Sequence, residues 1–548
     1  MSAVLPNPFT LRGLILLTFS LVVTPLTARA AEKPPNILFI FADDWGRFAG
    51  MYAGTKPGSA PAGALNELVR TPNLDRIAKQ GVLFRNAHVN SPSCTPCRSS
   101  LLSGQYFWRT GRGAILRGAV WDPAIPSYPL MLRDGGYHIG KSLKVWSPGK
   151  PVDAPFEGRK HAFEKAGTRM NHFSDSVTKL AANGMPPEVA KQEIYREVRG
   201  NFRQFIAARE AGKPFHYWFG PTNTHRNWVK GSGRKLWQVD PDRLKGKLPA
   251  YLPDVPEVRE DLADYLGEVM ALDGAIGALM EELRSTGEFD NTLIAISGDH
   301  GPPGFPAGKC NLYTFGTGVS LVIAGPGVKG GRIVEDFTCL TDLAPTFLEA
   351  AGVPVPKVVT GRSLWPVLKS EKSGQVDPER TWVVTGRERH VDVAREGSLP
   401  YPQRAIHTSS HLYIINFKPD RYPLGDPGPL LASGKSIPAK RLINNTRAAF
   451  PDMDGSPTKA WLIGQRDQPE WKATFDRAFG LRPREELYDL AADPDQLHNL
   501  AAEPASAKIR AGLETRLLAE LKLTEDPRVL SDEPVFEKPP FTSLEAPE

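Results

Sequence analysis

Asn36-Ile-Leu-Phe-Ile-Phe41 runs directly into Ala42-Asp43-Asp44-Trp45-Gly46. An unbroken apolar run this short, rich in strand formers, predicts a strand buried on both faces that ends in a pair of acids. The same grammar returns at Leu293-Ile-Ala-Ile296 before Ser297-Gly298-Asp299-His300-Gly301, and more weakly at Phe215-His-Tyr-Trp-Phe219 before Thr224-His225. Between the last two, Leu262, Leu266, Val269, Leu272, Ile276, Leu279 and Leu283 recur at steps of three and four, predicting an amphipathic helix that feeds the strand at Leu293. Such alternation predicts an α/β fold, a large mostly parallel or mixed sheet sandwiched by helices, with ligands at the carboxyl ends of its strands. The acids stand at those ends.

Val319–Ala324 adds a further strand and Asp342–Ala351 a further helix. From about Arg387 the texture changes to scattered prolines and short apolar runs. The expected organisation is therefore a catalytic domain over residues 31–385 and a smaller α+β domain over 386–548. The latter would hold a strand at Leu412–Asn416, a helix from Ser506 to Leu523 packed on its sheet, and a proline-rich tail after Glu525.

A chain of 548 residues that is 41% hydrophobic and 23% charged is neither fibrous, disordered nor multi-spanning. Residues 1–30 carry no acid, an apolar run from Gly13 to Val23, and Ala28-Arg29-Ala30, the small-x-small pattern of a cleaved secretory signal. A membrane anchor is the alternative, but crossing a bilayer takes about 20 apolar residues. Cleavage predicts a secreted or periplasmic protein with no membrane span, and loss of Arg12 and Arg29 lowers the formal charge from +6 to +4. That bias is too weak for a nucleic-acid binder. Four cysteines, Cys94, Cys97, Cys310 and Cys339, are too few to build the fold from disulfides.

Two readings compete for Cys94-Thr95-Pro96-Cys97-Arg98. As a lone C-x-x-C it suits thiol–disulfide exchange or half of a zinc site, but no second pair exists, and a turn with two buried thiols is equally compatible. Alternatively, Cys94-x-Pro96-x-Arg98 with Leu101-x-Ser103-Gly104 resembles the signature of the type I sulfatases, formylglycine-dependent enzymes of the alkaline phosphatase superfamily. Supporting segments follow in that family's order: Asn36–Gly46, Gly136–Lys141, Ser297–Gly301, Gly308-Lys309, and Leu487–Ala501. Thr222–Arg226 and Gly308–Tyr313 look most like the branch containing heparan N-sulfatase (sulfamidase) and its bacterial relatives. Two departures stand out. Cys97 occupies a position usually held by serine or alanine, and the Gly-Lys-x-His pattern is here Gly140-Lys141-Ser142-Leu143, without the histidine.

The resemblance implies a hydrolase that cleaves sulfate, as an ester or an N-linked sulfamate, from a sulfated sugar such as a glycosaminoglycan. Cys94 would be oxidised by a formylglycine-generating or anaerobic sulfatase-maturating enzyme, and one hydroxyl of the hydrated aldehyde, polarised by a cation and by Arg98, would attack sulfur. A covalent sulfo-enzyme intermediate would then collapse as the second hydroxyl loses its proton. Asp43, Asp44 and Asp299 are the hard oxygen ligands that Ca²⁺ prefers. Cys94 and His300 join the metal set through the resemblance, although a histidine nitrogen suits calcium poorly. Lys141 and Lys309 would hold sulfate oxygens as point charges, and His225 would protonate the leaving group. Arg387-Glu388-Arg389-His390 and Arg404 read either as a solvated charge cluster or as substrate contacts in a cleft at the domain junction. A phosphonate or phosphodiester hydrolase of the same superfamily, or a catalytically silent sulfosugar-binding protein, would share most of these features.

Overall fold

The computed structural model describes residues 1–5, 34–53, 63–431 and 435–544. The chain divides into two units, Met1–Pro34 and Pro35–Glu548, and the expected targeting segment at 1–30 lies, beyond its first five residues, outside the described residues. Among the described residues no helix is long and apolar enough to cross a membrane.

The strands are β1 (Asn36–Ala42), β2 (Val82–Phe84), β3 (Ala87–His88), β4 (His138–Leu143), β5 (Phe215–Gly220), β6 (Thr292–Gly298), β7 (Leu321–Ala324), β8 (Arg332–Val334), β9 (Thr338–Cys339), β10 (Trp382–Arg387), β11 (Gln403–Thr408), β12 (His411–Asn416) and β13 (Glu485–Asp489). Seven form one sheet in the order β4-β5-β1-β6-β7-β2-β8. Its first four strands are mutually parallel, and only β7 runs against both its neighbours. β10-β11-β12-β13 form a separate antiparallel sheet, and β3 pairs with β9 in a short parallel ribbon.

Alternation along β1 explains the layers. Leu38, Ile40 and Ala42 join one apolar cluster with the helices Pro187–Ala207 and Pro256–Ser285; Ile37, Phe39 and Phe41 join another beneath the helices Cys94–Ser103 and Leu343–Ala350. A strand covered on both faces has no use for polar residues until it leaves the sheet, which is why the acids begin at Asp43.

Three expectations are corrected. The helix feeding β6 is not amphipathic with a solvated face: Arg259, Asp261, Asp264, Glu268, Asp273 and Glu282 are buried alongside its leucines. The segment after Glu525 is not a loose tail, because Asp526 is fully buried and Phe536 and Phe541 pack with Ile406, Tyr413 and Leu517 of the second sheet's core. Arg387–His390 and Arg404 are neither solvated nor lining an open cleft; all five are buried. The Arg404 guanidinium donates to both oxygens of Asp526, to Glu388, and to the carbonyls of Arg387 and Gln403, while Glu388 also takes Arg528. Guanidinium forks against carboxylates satisfy one another without water.

Candidate active site

Register brings the strand ends together. Ala42 of β1 lies level with Gly298 of β6, and Leu143 of β4 with Gly220 of β5. Glycine closes β5 and β6 for a steric reason: a Cβ on Gly298 would lie 1.9 Å from the Trp45 carbonyl oxygen, and one on Gly220 1.9 Å from that of Lys144. The chain leaving each neighbouring strand passes over these glycines, so Asp43, Asp44, Lys144 and Asp299 reach one spot. Asp44 takes a left-handed conformation at φ 55, and its N–H donates to Asp299 Oδ1 at 2.7 Å. Its carbonyl accepts from the Tyr265 hydroxyl at 3.1 Å.

Cys94 opens the helix Cys94–Ser103, which is buried along its whole length. Its Sγ lies 3.5 Å from His300 Nε2 and 3.9 Å from Asp44 Oδ1. One turn on, Arg98 donates to Asp299 at 2.8 Å and Asp43 at 3.0 Å, and its second terminal nitrogen to the Val145 carbonyl at 3.0 Å. Lys309 Nζ donates to Asp44 Oδ2 at 3.1 Å. His225 Nε2 stands 3.9 Å from the same oxygen, its ring about a third exposed, with Nδ1 2.5 Å from the Arg226 carbonyl. His300 Nδ1 lies 3.1 Å from the Gly301 carbonyl. A ring nitrogen facing a carbonyl carries its proton, which leaves Nε2 turned toward Asp44 at 3.3 Å and Asp299 at 3.5 Å.

The charges are strongly coupled. Burial alone would lift Asp43, yet Lys144 and Arg98 hold it well below the ordinary carboxylate range. Burial raises Asp299 instead. The Cys94 thiol is pushed well up by burial and then by Asp43, so an unmodified thiol here is a poor source of thiolate. Burial would lower Lys309, but Asp44 and Asp454 more than restore its charge.

One expected residue is not in the centre. Lys141 Nζ pairs with Asp153 at 2.8 Å and Glu164 at 3.1 Å. Lys144 takes the expected place, its Nζ 2.7 Å from Asp43 Oδ1 and 2.8 Å from Oδ2. Leu143, at φ 67, breaks the alternation of β4 and turns the chain toward Asp43. The signal was present: Lys144 follows the last residue of β4 as Asp43 follows β1 and Asp299 follows β6. Asp454, which faces Lys309 at 3.4 Å, carried no strand-end signal and was missed; His390, expected in a charge cluster or a cleft, has its Nδ1 2.8 Å from Ser93 Oγ. Cys97 is a core residue, packed with Leu101 and Leu102, and all four cysteines are free.

Three groups of donors converge within 4.8 Å: Asp44, Cys94 and His300; Asp43, Cys94 and Asp299; and Asp43, Asp44 and His225. Three buried carboxylates at one point form an acidic cluster suited to a hard cation.

The sulfatase family model matches residues 35–353. The chain belongs to the sulfatase family. This sulfatase is 28% identical over 543 residues to N-sulphoglucosamine sulphohydrolase of Homo sapiens, covering 92% of the present chain and 93% of the relative. It is 26% identical to an N-acetylglucosamine-6-O-sulfatase of Bacteroides thetaiotaomicron, covering 68% of this chain and 77% of that one. A protein solved in complex with its substrate D-glucosamine-2-N,6-O-disulfate superposes with a TM-score of 0.60 at 18% identity, over 92% of this chain and all of that one. The phosphonate monoester hydrolase of Agrobacterium radiobacter reaches 0.57 at 18% identity, over 89% and 96% of the two chains, a likeness of fold. The sulfatase is a sulfate-cleaving hydrolase of the alkaline phosphatase superfamily, and the sulfatase family generally uses a metal ion and formylglycine.

Proposed function

We propose that this sulfatase removes sulfate from a sulfated amino sugar, O-linked or N-linked, using formylglycine made from Cys94 and one calcium ion. The observation that carries the reading is the convergence of Cys94 with Arg98, Lys144 and Lys309 on the cluster of Asp43, Asp44 and Asp299. Full-length similarity to a sulphohydrolase of N-sulphoglucosamine supports the choice of sugar.

Asp43, Asp44, Asp299 and His300 would hold the cation, the carboxylates supplying the hard oxygens that calcium takes. A hydrated aldehyde at position 94 would supply a hydroxyl nucleophile and a second hydroxyl for release of sulfate, and the cation would supply charge neutralisation. Arg98, Lys144 and Lys309 place three fixed positive charges where negative charge gathers on the sulfate oxygens, a stabilisation that needs no rearrangement during reaction. His225 donates the proton to the leaving oxygen or nitrogen: with Nδ1–H committed to the Arg226 carbonyl, the imidazolium carries its transferable proton on Nε2. Arg98 also ties Asp43 to Asp299 and so holds the acids in register.

The reading includes a signal-directed route to a secreted or periplasmic site and a maturation enzyme met on the way. Mass spectrometry of the peptide carrying Cys94 and Cys97, from protein made in its native host, tests it together with sulfate release from glucosamine sulfates. Aldehyde at position 94 and loss of release in Cys94→Ala are expected. A Cys94–Cys97 disulfide in active protein, or faster turnover of phosphodiesters than sulfates, overturns it.

A further inference from the structure

Asp454 is an acid the mechanism above does not use. Its Oδ2 is buried yet receives no hydrogen bond among the described residues; the nearest cation, Lys309 Nζ, stands 3.4 Å away and donates to Asp44 instead. Lys309 thus balances the charge of the carboxylate without filling its hydrogen-bonding capacity. The surrounding loop does not let it escape. Asp452, two residues earlier, accepts from Arg387 and Arg395, both at 2.8 Å, and from the Val391 N–H at 3.0 Å. Lys459 Nζ donates to the carbonyls of Thr446, Phe450 and Met453. Ser456 Oγ donates to the Gly304 carbonyl at 2.7 Å. Seven hydrogen bonds thus fix the backbone on either side of one under-satisfied acid, the arrangement expected of a preorganised binding group and not of a surface loop.

Its position gives the chemistry. Asp454 sits across Lys309 from Asp44 and is felt electrostatically by His225, His390 and Arg226. His225 and Asp454 have side chains 35% and 16% exposed, whereas Asp44 and Lys309 are almost completely enclosed. The two exposed groups therefore mark the mouth, where the body of the substrate lies, and the enclosed ones the sulfate end. A carboxylate at the mouth of an anion site repels a second sulfate and accepts hydrogen bonds.

We infer that Asp454 is a specificity-determining residue, whose carboxylate, partly exposed at the mouth, accepts a hydrogen bond from a hydroxyl on the sugar ring close to the scissile sulfate. This deepens the proposed function and rests on it. The enzyme then prefers substrates with that hydroxyl free and rejects those in which it is missing or sulfated. A site built to bond a hydroxyl discriminates strongly against its absence, because its own acceptor is left unpaired.

The test measures kcat/KM of wild type, Asp454→Ala and Asp454→Asn on glucosamine N-sulfate and glucosamine 6-O-sulfate, and on the 3-deoxy and 4-deoxy analogues of whichever is cleaved better. Inhibition by inorganic sulfate is measured alongside. Wild type is expected to favour the parent over one analogue by about 100-fold, the worth of a hydrogen bond to a charged group. That ratio should fall below about 10 in Asp454→Ala, with Asp454→Asn, which keeps an accepting oxygen, between the two. An equal fall on parent and analogues, with sulfate inhibition weakening in step, would show that Asp454 only holds Lys309 and overturns the inference. So does a wild type indifferent to both deoxygenations. Wild-type inactivity toward both parents overturns the amino-sugar reading itself, and the assignment with it.

Discussion

Around Arg404, in the antiparallel sheet, each buried charge meets a counter-charge through directed hydrogen bonds. Around Cys94, at the carboxyl ends of the inner strands of the seven-stranded sheet, three carboxylates are pressed together and the cations are shared among them. Both regions exclude water, so the contrast is one of completion. Arg404 spends its five N–H donors on five acceptors. At the strand ends, neighbouring acids are driven to opposite sides of the normal range, with Asp43 lowered and Asp299 raised. Crowding of like charge is costly, and it persists here because the framework of four parallel strands imposes it. A closed network of buried charge serves the fold; an open one marks where a further charged group is to be received.

Breaking the closed network should have the largest effect on stability. Arg404→Ala leaves Glu388 and Asp526 buried with fewer partners, and loss of one member of a buried ion pair costs about 3–5 kcal/mol. Urea unfolding should show that loss, while kcat/KM of the folded fraction stays within a few-fold of wild type. A stable variant that has lost activity would move Arg404 from the fold to the site.

The open network gives the next effect, and it separates two lysines that the sequence presents three residues apart. Lys144→Ala removes a fixed positive charge from the sulfate end, a change worth roughly 10²–10³ in kcat/KM for comparable donors. Lys141→Ala should leave kcat/KM nearly untouched and lower the melting temperature, because it strips Asp153 of its partner. The reverse pattern would return Lys141 to the catalytic role that family resemblance implied.

Those lysines also show what could be read in advance. The buried strands, their order of chemistry and the acids at their ends were legible because a both-faces-covered strand has an unmistakable composition, and Asp43, Asp44, Asp299, His300, Cys94, Arg98, His225 and Lys309 do converge. Lys141 misled because strand direction depends on one residue, Leu143, whose left-handed conformation nothing in its side chain announces. Asp454 was illegible for a different reason. It comes from a loop 145 residues beyond Lys309, and only tertiary packing of Asp452, Ser456 and Lys459 sets it in place. The arginines near residue 390 were misread because charge runs are normally solvated, whereas here the carboxylates that bury them arrive from distant Asp452 and Asp526.

Lys459 tests the comparison at its finest grain, since it is a buried cation satisfied by carbonyls alone. Its three protons go to the carbonyls of Thr446, Phe450 and Met453, among the described residues no carboxylate bonds to it, and burial pulls its pKa down from 10.5 to about 7. Between those values the unfolded chain binds a proton that the folded protein releases, so this group's contribution to stability rises as pH is raised from 7 toward 10.5 and is lost as pH falls through 7. The slope is at most about 1.4 kcal/mol per pH unit. Lys459→Met abolishes the titration, so the stability gap between wild type and this variant, read by urea unfolding, should widen from pH 7 to pH 9. A gap unchanged between pH 7 and pH 9 would mean that Lys459 keeps its charge as firmly as Arg404 does, and that the loop bearing Asp454 is held by a closed network after all.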